Sequence, residues 1–471
     1  MKRIARQLVI GAVLLNLTGC GLYSKYESQS RVASDVYGVN ALSMQSQGMA
    51  SIGEIGWRDF FKDPFLQALI DTALVHNTDI KTARIRILQA ESTLQAARLA
   101  YLPSVTFAPQ GSISSFDGNV TKAYNIGATL QLPIDVFGNI TSAKRRTQVL
   151  KAIAEEQEHL VKMQIVANVA QAYSKLQLLD SQLQIMRRTL DIWHQSLDMQ
   201  RAMMDNGRAY STSVNQMEAS CLGVETQIID IENSINSIED AINLLLCRAP
   251  QSVSRKAQNT YPLPEQWGTG VPALMLINRP DVRIAERGIE AAHYSIASAR
   301  AAFYPNLTLN GTLGWSNADG VVNPGKLLAS AAASLIQPLF AQGKLKANLK
   351  NAKLDKEAAI NQMEYTILKA GNEVNRALED CQNAQRKTKV ISRQVAALQK
   401  ACDGTRELMR NGKATYIEVL TAQEALLNAQ LSQAAITHDS TQSLIALYVA
   451  LGGGVTEKTY TNLPIPHSLI C

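Results

Sequence analysis

The chain contains one structural unit written twice. Gln131 to Lys144 reads QLPIDVFGNITSAK, and Ser334 to Lys350 reads SLIQPLFAQGKLKANLK. Pro338 follows Pro133, and Gly343 follows Gly138, by the same 205 residues. Two further landmarks recur in the same order. Ala97-Arg98-Leu99-Ala100-Tyr101-Leu102-Pro103 is answered by Ala299-Arg300-Ala301-Ala302-Phe303-Tyr304-Pro305, and Asn206-Gly207-Arg208 by Asn411-Gly412-Lys413. Such a repeat limits the chain to folds built from two copies of one supersecondary unit. Here the unit is a strand that ends near a proline, turns at a glycine and feeds a long charged helix.

The N-terminus has a basic head (Lys2, Arg3, Arg6) and an apolar run from Leu8 to Leu17, too short for a mature spanning helix. It ends Leu17-Thr18-Gly19-Cys20, which resembles a bacterial lipobox, so Cys20 is expected to become an acylated first residue after removal of residues 1–19. No Asp occupies Gly21-Leu22; by analogy with lipoprotein sorting this points to the outer membrane. The 46 basic and 40 acidic side chains leave +6, and cleavage would remove three of the basic ones. That balance, with no basic cluster interleaved with aromatics, gives no support to nucleic-acid binding. Cys221, Cys247, Cys381, Cys402 and Cys471 form no CxxC pair, so spacing supports neither a zinc site nor a redox motif, and most are expected as buried small hydrophobes.

Residues 20–63 read as the lipidated leader and 64–250 as the first repeat. In that repeat, helices around Asp63-Pro64 and from about Asp79 to Ala100 precede a strand pair at about 104–133. Val105, Phe107, Gly111 and Ile113 alternate with polar neighbours. After a turn at Asp117-Gly118-Asn119, so do Tyr124, Ile126, Ala128, Leu130 and Leu132. Segment 251–278, rich in Pro, Gly and Thr, is a linker or equatorial region. Residues 279–452 form the second repeat, with a strand pair at about 306–339 whose last member, Leu327 to Leu339, is weak because Ala and Ser occupy both faces. Residues 453–471 are an extended tail. Each strand has about the 9–11 residues that a tilted strand needs to cross a bilayer. A soluble sheet with one wet face alternates in the same way.

The helices favour the membrane reading. Val169, Leu176, Leu183, Leu190, Leu197 and Met204 recur every seven residues, with Leu179, Met186 and Trp193 three places after members of that row. This is a coiled-coil seam on a rod of roughly 90 Å. Each rod turns back at an Asn-Gly tip. Strands in lipid need bonded neighbours on both sides, so a four-stranded sheet must close with other copies. Narrow-seamed hairpins likewise need more helices to pack against, and both arguments predict a symmetric oligomer.

The lipobox, the paired Ala-x-x-Ala-Tyr/Phe-x-Pro segments, Asp135-Val136-Phe137-Gly138, Gln337-Pro338-Leu339-Phe340 with Gly343, and Leu447-Tyr448-Val449-Ala450-Leu451-Gly452-Gly453-Gly454 resemble the TolC-type outer membrane factor family, in its lipoprotein branch. The resemblance covers nearly the whole chain. It implies a membrane α+β fold: a homotrimeric outer membrane β-barrel, four strands per chain, continuous with a long periplasmic α-helical barrel. It implies an efflux channel for small molecules, with an inner-membrane pump, outer membrane lipid around it and a periplasmic adaptor meeting the tips. The tip residues are Asn206, Gly207, Arg208, Asn411, Gly412 and Lys413. It also implies an acidic ring beyond the second tip, where Glu418 stands at the first position and Thr421 replaces the second acid. The alternative for Glu418 is a solvated carboxylate near a helix N-terminus.

No Gly-rich phosphate loop, HExxH or Gly-x-Ser-x-Gly elbow occurs, so the sequence offers no enzyme, metal or cofactor beyond the lipid on Cys20. Met199, Met203 and Met204 near the first tip read as packing before soft-metal ligands, and the scattered histidines as surface or packing residues. Three rivals share features with this reading: a type I secretion exit duct, a periplasmic adaptor and a structural coiled-coil lipoprotein. An adaptor has one hairpin without this duplication, and a coiled-coil lipoprotein needs no amphipathic strands.

Overall fold

The computed structural model describes residue 26 and residues 55–257, 279–317 and 326–453. The signal segment, Cys20, most of the leader, residues 258–278 and the tail after Gly453 lie outside the described residues. In chain order the elements are α1 (Trp57–Phe60), α2 (Pro64–His76), α3 (Thr78–Leu99), β1 (Ser104–Phe107), β2 (Gln110–Phe116), β3 (Asn119–Ile134), α4 (Asn139–Asp205) and α5 (Ser211–Leu245). There follow α6 (Pro280–Ala301), β4 (Asn306–Asn317), β5 (Lys326–Ile336), α7 (Lys344–Arg410) and α8 (Tyr416–Ala450). The duplication holds to the residue: α4 and α7 each have 67 residues, α5 and α8 each 35, α3 and α6 each 22.

Two compact units divide the chain. One gathers Arg84–Gln157 and Asp281–Thr366, with Tyr26; the other gathers the described residues of Val32–Ala83, Glu158–Pro280 and Ile367–Cys471. Each repeat therefore contributes to both.

The first unit carries an antiparallel sheet in the order β1–β3–β4–β5, with β2 also on β3. Ser104 pairs with Gln131 and Gln110 with Asn125, so β1 and β2 keep one register across β3 and act as one strand interrupted at Ala108-Pro109. Pro109 is tolerated at this break because proline has no N–H and is confined in sheets to edge strands and bulges. Asp117 (φ 49°) and Gly118 (φ 77°) both have positive φ, the backbone of a two-residue type I′ hairpin. The fourth strand ends at Ile336, short of the expected Leu339, because Pro338 removes a donor and restricts the residue before it. The two hairpins share one register. Moving Ser104 forward by 202 and Gln131 by 205 gives Asn306 and Ile336, which are themselves paired.

Just below the sheet the repeats differ. The Asp135 carboxylate accepts the N–H groups of Ile140 (3.0 Å) and Thr141 (2.8 Å) and the Thr141 hydroxyl (2.6 Å), closing the N-terminus of α4. Its counterpart before α7 is Phe340, 86 % exposed.

The second unit buries the seam. Val169, Leu176 and Leu179 pack with Trp57, Phe61, Ile70, Ile242 and Tyr448, while Met186, Trp193 and Leu197 pack with Met217, Val224, Leu420 and Leu427. Asp63 caps α2 by accepting the Phe65 N–H (3.0 Å) and also accepts the Tyr173 hydroxyl (2.7 Å), which makes a buried carboxylate affordable. Tyr448 stacks on Phe60, donates to the Ile55 carbonyl (2.8 Å) and lies so close to Gly453 that a Cβ there would fall 2.4 Å from the ring. The apolar end of α8 thereby holds the segment before α2. Cys221, Cys381 and Cys402 are buried, and burial pushes the Cys381 thiol up to about 12. Cys247 is the exception among the four described: it is exposed, at φ 51°, in the αL position that Gly452 fills in the other repeat. Its N–H donates to Leu244 and that of Arg248 to Asn243, a helix-closing pattern that outweighs the cost of a side chain there.

Candidate functional site

The described residues set out two features that bear on function, a sheet with two unlike faces and a pair of helical tips. On one face Val105, Phe107, Tyr124, Ile126, Leu130, Leu132, Leu309, Leu313, Trp315 and Leu335 fall together by register. Phe107, Leu313 and Leu335 are 66 %, 59 % and 66 % exposed, so much of this face lies open among the described residues. The other face presents Ser104, Thr106, Asn125, Thr129, Gln131, Thr308, Asn310, Thr312, Ser330 and Ser334. It is polar but uncharged at these positions, and Thr312 and Ser330 share a hydrogen bond of 2.5 Å across it. Exposed apolar surface of this extent is unstable in water and stable in hydrocarbon. Among the described residues β1–β2 and β5 each have a partner on one side only, so the sheet presents two open edges.

No described helix is long and apolar enough to cross a membrane, which leaves the strands as the described elements suited to lipid.

The tips in the second unit are near copies. Gly207 (φ 72°) and Gly412 (φ 69°) occupy left-handed backbone that other residues enter at a cost. At the first tip the Arg208 N–H donates to Met203 and the Gly207 N–H to Met204; at the second Lys413 donates to Leu408 and Gly412 to Met409. Both are Schellman closures, which satisfy the last carbonyls of α4 and α7. Asn206 and Asn411 add side-chain bonds to the Ala202 (2.7 Å) and Glu407 (2.9 Å) carbonyls. The asparagine amides thus help end the helices, while Arg208 and Lys413 stand exposed beside them.

Glu418 is exposed and is the third residue of α8, where it completes a capping box. Its Oε2 accepts the Thr415 N–H at 2.8 Å, and its own N–H donates to the Thr415 hydroxyl at 3.4 Å. The pattern Thr415-Tyr416-Ile417-Glu418 carries this role openly, and the sequence reading passed over it. The first repeat has no such box: Tyr210 precedes α5 without a side-chain cap, and Ser213 instead donates to the Tyr210 carbonyl (2.7 Å). Tyr416 reaches across to the Met217 sulfur, and burial raises its phenol pKa.

Sequence reasoning also missed Arg255, whose guanidinium joins Asp180 on α4 (2.8 Å) to Glu239 on α5 and pins the segment after α5 across that hairpin. Its partners lie far away in sequence, so no local signal marks it. His438 is buried against the Ser174 hydroxyl (3.0 Å), and desolvation, with help from Lys175, lowers its pKa. Among the described residues no His, Cys, Asp and Glu side chains cluster as a metal site. Met204 packs in the lower core and Met199 is exposed.

A family model described as "Outer membrane efflux protein" matches residues 69–248 and 271–453. The cation efflux system protein CusC of Escherichia coli is 26 % identical over 456 residues, covering 94 % of this chain and 98 % of that one. The outer membrane protein OprJ of Pseudomonas aeruginosa is 28 % identical, covering 95 % and 96 %. A crystal structure of CusC superposes with a TM-score of 0.79 at 25 % identity, over 92 % of this chain and 99 % of that one.

Proposed function

Because the chain belongs to the outer membrane efflux protein family, we propose that it is the outer membrane channel of a tripartite pump that expels small molecules. The observation that carries this reading is the sheet's exposed apolar face between two open edges, in one chain with two 67-residue helices. Three copies, with the polar face inward, would form a closed barrel whose lumen is wet and whose outside is apolar. In this reading Cys20 carries the lipid. Arg208, Lys413 and the glycine turns beside them meet a periplasmic adaptor, which connects the channel to an inner-membrane pump. The relatives with this fold are channels, and the chain is read as a conduit with no reaction of its own. The test uses the full-length protein in detergent. An oligomer that dissociates on heating, and stepwise conductance in a planar bilayer, are the expected results. A monomer that never conducts would sink the reading.

Glu418 is the proposed gate. Three copies around an axis would hold like charges close together and attract cations. Its capping role makes Glu418→Ala a poor probe, since loss of a cap alone costs about 1 kcal/mol. Glu418→Gln keeps an oxygen for the Thr415 N–H while removing the charge. We expect lower cation selectivity and higher resting conductance in Glu418→Gln, with both near normal in Thr415→Gly. Unchanged single-channel records for Glu418→Gln would return Glu418 to a purely structural role.

A further inference from the structure

We propose that the two open edges close on a second copy of this chain in one specific register: β5 lies against the neighbour's β1–β2 with Ser330 opposite Ser114, Ala332 opposite Ser112 and Ser334 opposite Gln110. The inference rests on the barrel reading above and goes beyond it by fixing which residues meet.

The internal repeat serves as a ruler. After the strands, landmarks recur at 205 residues (Pro133 and Pro338, Gly138 and Gly343); before the strands they recur at 202 (Pro103 and Pro305). These two offsets convert the first hairpin's register into the second's without a slip, as the pairs Ser104–Gln131 and Asn306–Ile336 demonstrate. The β3–β4 junction joins the end of the first unit of repeat to the start of the second. The junction between β5 and the next copy's β1 joins the same two kinds of end. Applying the offsets to β3–β4 turns Asn125–Ser316 into Ser330–Ser114, Gly127–Gly314 into Ala332–Ser112, and Thr129–Thr312 into Ser334–Gln110.

Three independent features agree with it. First, parity: the odd residues of β5 and of β1–β2 both lie on the apolar face, so pairing odd with odd keeps lipid-facing side chains together. A one-residue slip would put them on opposite faces. Second, hydrogen bonding: the Ala108 N–H donates to Gly127, so even residues of β1–β2 spend their backbone groups on β3 and odd ones point to the open edge. Pro109 is odd. Its missing N–H therefore falls on the outward side, the place a sheet tolerates proline. Third, size: at the seam Ser114, Ser330, Ser112 and Ala332 are all small, matching non-hydrogen-bonded pairs, where strands come closest.

The test is disulfide trapping in the full-length protein in outer membranes under mild oxidation. Ser114→Cys with Ser330→Cys is expected to give covalent oligomers on non-reducing gels. Two slipped pairs, Ser112→Cys with Ser330→Cys and Ser114→Cys with Ala332→Cys, are expected to link several-fold less. Diagonal neighbours sit about 7–8 Å apart, at or beyond the reach of a disulfide. Each single-cysteine variant reports any linkage through the native thiols. A slipped pair that links better, or no linkage above the single variants in a protein that still assembles, would overturn the register alone. If the unmodified protein proves monomeric by native mass spectrometry, the barrel reading fails and the register with it. These positions are small and exposed at an edge, so the substitutions leave folding intact; the heat-modifiable band of each variant verifies this.

Discussion

Arginine at Leu309 is expected to prevent stable assembly of the barrel, whereas arginine at Thr308, one residue away, is expected to leave it intact. The two neighbours occupy opposite faces of β4. Leu309 pairs with Leu132 and Ala333 on the apolar face, and Thr308 with Pro133 and Ser334 on the polar one. A guanidinium facing hydrocarbon near the bilayer centre costs roughly 2–4 kcal/mol, and a lumen position costs far less. In an oligomer each copy carries the change, so the cost is multiplied by the number of subunits. The same contrast is expected between Leu130 and Gln131, and between Phe107 and Thr106. The measurement is the fraction of heat-modifiable oligomer in outer membranes, together with urea midpoints in lipid vesicles. Equal loss on both faces, or equal tolerance, would mean that the sheet does not face lipid.

That contrast was legible in the sequence because apolar and polar residues alternate along β3 and β4. The fourth strand was less legible. Ala329, Ala331 and Ala333 on one face differ little in polarity from Ser330, Ala332 and Ser334 on the other, so its assignment came from the repeat and its end was placed too late. Helix ends were read to within a few residues, since Asn-Gly stops and proline-free runs are local signals. What the sequence did not disclose depends on partners remote in the chain. Arg255 meets Asp180 across 75 residues, and Asp63 meets Tyr173 across 110. The roles of the tips were only half legible. The Asn-Gly pairs announced the turns and Thr415-Tyr416-Ile417-Glu418 carries the capping-box pattern, but the binding of Asn206 and Asn411 to their own helices shows only in the folded structure.

The second large effect concerns two glycines three residues apart in β4. Gly314→Ala is expected to destabilise the barrel by about 1–3 kcal/mol or more, the range for forcing atoms into packed space, while Gly311→Ala is expected to be nearly silent. A Cβ at Gly314 would lie 2.4 Å from the Gly127 Cα and 2.5 Å from the Ile126 carbonyl oxygen. Those are backbone atoms of β3, so no side-chain rotation relieves the overlap and the strands must part. The Gly127 carbonyl accepts from Ala108 on the other side, so Gly127 and Gly314 face one another at a pair without mutual hydrogen bonds, where backbones approach closest and two glycines allow an approach that alanine does not. At Gly311 a Cβ would meet only the Ser330 carbonyl oxygen at 3.7 Å and the Leu130 Cβ at 3.8 Å, ordinary contacts. An alanine there adds apolar surface to the lipid-facing side and removes backbone freedom from the unfolded chain. Gly127→Ala should fall between them, since its nearest neighbour is the Leu313 carbonyl oxygen at 3.0 Å. The order Gly311, Gly127, Gly314 in rising cost can be read from urea midpoints of the three variants in vesicles. A reversed order would show that β3 and β4 are spaced differently in the assembled barrel, and would remove the template from which the seam between copies is drawn.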